Sequence, residues 1–170
     1  MFQVNDTILY GAHGVCKITG ETTKTIGSDR MEYLVLSPIY SEHSTIYVPK
    51  NNQTLLSRMH PLLSKAEIEK ILSAVSADKT PWSDASVPNQ EDYRELLSSG
   101  DRKALLCTVK RISAHRKELQ SRGKKLHIAD ERFLKEAQKM ISDEFAFCLG
   151  IAPEDVASFI RRELERLACS

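Results

Sequence analysis

Several common chemistries are missing from this chain before any fold is considered. Its four cysteines, Cys16, Cys107, Cys148 and Cys169, lie far apart with no two- or four-residue spacing, which excludes a zinc knuckle or a redox pair. The histidines His13, His43, His60, His115 and His127 show no metal-ligand spacing with one another or with those cysteines, so neither a metal nor any other cofactor is expected. No glycine loop cradles a phosphate: Gly11-Ala12-His13-Gly14 lacks the following lysine and leads into an apolar-alternating run, as a hairpin turn does. Cys107 and His115 fall in one expected helix, but eight residues separate them by about 12 Å, beyond the reach of a nucleophile and its base. An enzyme is therefore not expected, and no small-molecule substrate.

Long apolar runs are also absent. None approaches the roughly 20 residues that span a membrane, and Met1–Asp6 lacks the basic and apolar parts of a signal peptide, so no membrane partner and a cytoplasmic location are expected. There is no internal repeat and no low-complexity tract.

What is present divides the 170 residues in two. Before Pro49 the chain is strand-like and aromatic. Thr7-Ile8-Leu9-Tyr10 favours a strand, Gly11 and Gly14 suit a tight turn, and the run from Val15 alternates. Gly27 to Asp29 reads as a turn; Arg30 to Leu36 then alternates, with Met31, Tyr33 and Val35 on one face and Glu32, Leu34 and Leu36 on the other. Ser44 to Val48 forms another strand, stopped by Pro49. An antiparallel sheet of four or five strands follows, with an edge able to accept a strand from another protein.

After Ser64 the chain is helical and charged. Ser64-Lys65-Ala66-Glu67 is a capping box opening a helix to about Ala77. Asp78 to Asn89 breaks the periodicity as a Pro/Ser-rich loop holding the sole tryptophan, Trp82. Helical periodicity returns over about Glu91–Ser98, Arg102–Gln120 and Asp130–Leu149, punctuated by Gly100, Gly123 and Gly150, and Pro153 opens a last helix over Glu154–Leu167. The expected class is α+β: a small antiparallel β module over residues 1–58, followed by an all-helical domain over 59–170.

The net charge of +1 conceals a local excess. Residues Asp101 to Lys139 hold twelve Lys or Arg against five acids. Lys110, Arg111, Arg116, Lys117, Arg122, Lys124, Lys125, His127 and Arg132 spread over two helices and the Gly123 turn, as an anion-binding face or as an ordinary solvated one. Trp82 likewise reads either as an anchor packing its loop or as a wedge for unstacked base pairs in a minor groove. The tyrosines Tyr10, Tyr33, Tyr40 and Tyr47 could in principle cage a cation, but core or sheet-face positions suit most of them better.

The words VNDTILYGAHGV, EYLVL and YVP in the first part, and PW, SGDRKALL, GKKLHIADERFLKEA and LGI in the second, are similar to the CarD/CdnL family of bacterial transcription regulators. The first-part words are shared with the transcription-repair coupling factor, whose helicase motifs are absent here. The resemblance implies a Tudor-like β-barrel as first module, binding the lobe of the RNA polymerase β subunit largely by strand addition. It also implies that the helical domain contacts promoter DNA at the upstream edge of the bubble, with a tryptophan in the minor groove, in a nucleoid-associated protein. Trp82 matches the wedge position. Lys24 and Tyr47 fall where the family places polymerase contacts. Ser83 to Pro88 lacks the basic residues that many relatives carry beside the wedge, so Lys124, Lys125 and Arg132, with Arg116, are the candidate phosphate contacts. The alternative is an RNA- or ribosome-binding β-barrel protein, suggested by the GAHGV turn between strands.

Overall fold

A computed structural model of the chain describes residues 2–41, 43–83 and 88–169. The middle of the expected Asp78–Asn89 loop, residues 84–87, therefore lies outside the described residues.

Residues 2–61 build an antiparallel sheet from β1 (Thr7–Tyr10), β2 (Val15–Ile26), β3 (Asp29–Pro38), β4 (Ile46–Pro49) and β5 (Met59–Pro61), in the order β4-β3-β2-β1-β5. The fifth strand begins just past the expected boundary at residue 58. Its three residues are too few for alternation to announce them, and it exists because β1 offers it a free edge. A short helix, α1 (Gln53–Leu56), capped by the Asn52 side chain, turns the chain between β4 and β5.

On β3 the alternation holds. Leu34 and Leu36 turn into a core with Ile8, Tyr10, Cys16, Ile18, Val48 and Met59, leaving Met31, Tyr33 and Val35 on the other face. β1 is buried on both sides, because Ile8 and Tyr10 enter that sheet core whereas Leu9 joins the core of the helices. One strand thus serves two cores.

The helices are α2 (Lys65–Ala77), α3 (Gln90–Ser98), α4 (Arg102–Ser121), α5 (Ile128–Leu149) and α6 (Pro153–Ala168). The α2 capping box is present, a second one (Asn89 with Asp92) starts α3, and Gly150 closes α5 in the left-handed conformation at φ 68°. Their shared core gathers Ile68, Leu72, Tyr93, Leu105, Ile112, Phe133, Met140 and Phe145. Within it Tyr93 stacks on Phe133 at 4.3 Å between ring centres and donates its hydroxyl proton to the buried Asp130 carboxylate, while burial first and then Asp130 push the Tyr93 phenol well above its usual pKa. Removing that donor leaves Asp130 buried and short of a partner. Tyr93→Phe is expected to cost about 1–3 kcal/mol of stability in chemical denaturation, although it deletes one oxygen atom.

The sheet and the helices meet closely. α5 packs against β2 and the 3-10 turn Gly11–His13, and a Cβ on Gly14, which sits at φ 76°, would come within 2.3 Å of Asp143 Oδ2. On the other side of the seam His60 Nε2 lies 2.7 Å from the Ser98 carbonyl oxygen, and the His60 ring fills the space a side chain on Gly100 would need.

Candidate functional site

Two surfaces carry the residues singled out in the sequence. The first lies on the sheet. In the β2–β3 register Lys24 faces Met31 and Thr22 faces Tyr33, and in β3–β4 Tyr47 faces Val35. Since side chains alternate, Lys24, Tyr33 and Tyr47 all project from the face opposite the sheet core. There Lys24 Nζ sits 3.7 Å above the Tyr47 ring and 5.7 Å from that of Tyr33, and the two rings meet edge to face at 6.3 Å.

The cluster binds its own lysine, and the four tyrosines are not assembled into a cage: Tyr10 is in the core and Tyr40 stands apart at the end of β3. Tyr47 remains 45% exposed. It belongs to β4, whose ladder runs to β3 alone, so the strand offers a row of backbone groups along its outer side. Tyr33 was not among the residues expected to act here. Its diagonal placement between Lys24 and Tyr47 depends on the register of three strands, which sequence periodicity does not supply.

The second surface is built along α4. Lys110 Nζ donates to the carbonyl oxygens of Val75 (3.0 Å) and Asp78 (2.9 Å), closing the C-terminus of α2, where a cation complements the helix dipole. Beside it Arg111 Nη2 reaches Asp78 Oδ2 at 2.6 Å. Hydrogen bonds from Thr80 above all, then from Cys107 and Arg111, hold the Asp78 carboxyl well below the usual carboxylate range, so it stays charged at any physiological pH. Asp78 thus fixes the start of the loop on α4.

Four residues further along both segments Trp82 stacks on His115, ring centres 4.6 Å apart and planes 12° from parallel. The indole is half-buried, packed against the helical core, and the His115 Nδ1 atom beneath it is buried with no hydrogen-bond partner among the described residues. His115 is therefore a packing platform. Cys107 does not approach it: its thiol is hydrogen-bonded to Asp78, and burial first of all pushes it up, which keeps it protonated and a poor nucleophile.

Not all of the basic excess reaches this surface. Lys110 and Arg111 hold the loop, Lys139 pairs with Asp143 at 2.8 Å, and Arg102 lies inside the molecule. Periodicity could not separate these from free cations, because their partners are 4 to 42 residues away in the chain. The candidates Arg116, Lys124, Lys125 and Arg132 do gather at one end of the helical bundle, around the α4–α5 turn. Arg116 lies 3.9 Å from Glu131, a loose and half-exposed contact; Lys124, Lys125 and Arg132 are exposed with no carboxylate in salt-bridge range among the described residues.

Arg102 and Glu144 form a site that the sequence did not announce. They meet through two parallel hydrogen bonds, Nε to Oε1 at 3.0 Å and Nη2 to Oε2 at 2.7 Å, with side chains 8% and 1% exposed. Arg102 also donates to the carbonyl oxygens of Gly100 (2.9 Å) and Pro61 (2.7 Å), and Glu144 accepts from the Leu63 amide (3.3 Å). The pair joins α4 and α5 to the segment that leaves the sheet. Among the described residues no group of His, Cys, Asp or Glu could hold a metal ion, and no helix is long and apolar enough to cross a membrane.

Comparison with known families bears on the sheet. Residues 2–60 match the family model described as the CarD-like/TRCF RID domain. The match runs from the first described residue into β5 and takes in the Lys24–Tyr33–Tyr47 face and the β4 edge.

Proposed function

We propose, from the membership of residues 2–60 in the CarD-like/TRCF RID family of RNA polymerase-interacting domains, that the chain is a transcription regulator that docks on polymerase and holds a promoter open. The domain ties the protein to RNA polymerase and to transcription, and it is a regulatory binding module in kind. In our reading the partner is the lobe of the β subunit, which adds a strand to β4 while Lys24 and Tyr47 make the polar contacts. The helical part then lays its basic end on promoter DNA at the upstream edge of the bubble, where Arg116, Lys124, Lys125 and Arg132 contact phosphates and Trp82 wedges the minor groove. The division of labour falls near residue 58, with β5 as the seam.

The single observation that carries this reading is the outward Lys24–Tyr33–Tyr47 face beside an unpaired edge strand, inside the matched domain. The mechanism needs no covalent chemistry. Contacts made only with opened DNA lower its free energy relative to the closed form, and each ~1.4 kcal/mol of that difference shifts the ratio tenfold.

The test is binding of the full chain to the purified β-subunit lobe. Lys24→Glu reverses the charge and removes the cation from both rings, and should weaken the complex roughly tenfold or more while the thermal stability of the free protein falls only slightly. An unchanged affinity would move the docking surface off this face.

A further inference from the structure

Ile128 is the most exposed large apolar side chain among the described residues, at 79%. It is the first residue of α5 and directly follows the basic α4–α5 turn. We propose that Ile128 is a second apolar insertion point for DNA, set at the tip of the basic end and distinct from Trp82; this rests on the DNA-binding part of the function proposed above.

Three features of the tip support it. The tip is rigid: Lys124 N bonds the Leu119 carbonyl at 2.8 Å, Gly123 N bonds that of Gln120 at 3.0 Å with Gly123 at φ 72°, and the buried Leu126 is packed into the helical core. The first turn of α5 is fixed by the Tyr93 hydroxyl on Asp130 and by buried Phe133, so Ile128 faces away from the core by construction. A β-branched side chain on such a base keeps few rotamers and meets its partner already ordered.

The surroundings select the occupant. In helical projection Arg132 and Lys135 follow Ile128 on the same outer face, at i+4 and i+7, with Glu131 at i+3 turned to Arg116, and Lys124 and Lys125 precede it; all four cations are exposed and none has a carboxylate in salt-bridge range among the described residues. An apolar point within a run of unpaired cations repels a basic surface and suits a polyanion that also offers apolar surface. DNA does so where base pairs unstack, and isoleucine is among the side chains that minor-groove proteins insert there. The cations contact the backbone, and the apolar tip enters between bases. Trp82 lies on the adjoining side of α4, and the Arg116–Glu131 contact ties that helix to the first turns of α5.

The experiment measures binding of the full chain to a labelled duplex containing a short unpaired bubble, over a series of salt concentrations, with the fully paired duplex alongside. Ile128→Ser should bind the bubble about tenfold more weakly with an unchanged salt slope, since it removes apolar burial and no charge. Ile128→Leu should stay near the unmutated protein. Lys125→Gln should instead flatten the slope by about one. Ile128→Ser binding as tightly as the unmutated chain would overturn the insertion point and leave the DNA reading standing. No bubble binding by the unmutated chain would overturn the DNA reading itself. A photo-crosslinker at position 128, tested with polymerase and promoter together, should label DNA; labelling of a polymerase subunit alone would assign the tip to a protein partner and overturn the proposal.

Discussion

Replacing Arg102 with alanine is expected to destabilise the protein by about 3–5 kcal/mol, because it breaks a buried ion pair by removing one partner. The cost lies in what stays behind. Glu144 would keep its burial and only the Leu63 amide as donor, and the carbonyls of Gly100 and Pro61 would each lose a donor as well. Against a typical total stability of about 5–15 kcal/mol, that loss removes a large share. It differs from loss of an ordinary core residue in a way that can be measured. The double substitution Arg102→Met with Glu144→Leu removes both charges together and should recover most of the stability, because the cost of Arg102→Ala lies in an uncompensated carboxylate and the pair itself adds little. Chemical denaturation of Arg102→Met, Glu144→Leu and the double variant closes the cycle. A double variant no better than Arg102→Ala would show that the guanidinium matters for its contacts to Pro61 and Gly100 and not for Glu144. The pair also joins sheet to helices, so Arg102→Ala should speed amide exchange at Leu63, in the segment before α2, ahead of exchange within α2.

The position of Arg102 shows where sequence reasoning stops. A cation in the first turn of a helix opposes the helix dipole, and beside Lys103 it reads as one more member of a basic run. Its partner is 42 residues away. By contrast the five helices after Ser64 were legible to within two residues, because local chemistry marks their ends: the Ser64 box, Gly150 and Pro153; the one-turn α1, too short for a period, was not. The strands with clear alternation were legible too. β5 was not, as three residues carry no period and the strand is decided by the free edge of β1. The sheet surface was half-legible: Lys24 and Tyr47 were expected to act there, but their contact with each other, and Tyr33 as the ring between them, come from register. At the helical surface the excess of charge was visible and its allocation was not, since only packing reveals that Lys110 and Arg111 hold the Trp82 loop. Of the two roles the sequence left open for Trp82, the packing supports the anchor: the indole is half-buried against its own core and stacks on His115.

The proposed wedge, set beside this anchoring, gives the second large effect. If Trp82 wedges promoter DNA, Trp82→Ala should shorten the lifetime of the open complex about tenfold or more, because an inserted ring offsets some 1–3 kcal/mol of the cost of unstacking a base step. Loss of the stack on His115 and of packing against the core should also lower stability by about 0.5–1.5 kcal/mol beyond the area term, so a melting measurement alone does not separate wedge from anchor. His115→Ala does. It removes the platform and a similar part of the packing but leaves the indole in place. An anchor acting only through stability makes Trp82→Ala and His115→Ala equivalent once matched for thermal stability. A wedge makes Trp82→Ala the more severe for open-complex lifetime, with His115→Ala intermediate because the ring is present but less well ordered before it binds. Binding to the β-subunit lobe should be unchanged in both, since both residues lie outside the matched residues 2–60. Equal lifetimes for the two variants would reject the wedge and leave Trp82 as the residue that fastens its loop to α4.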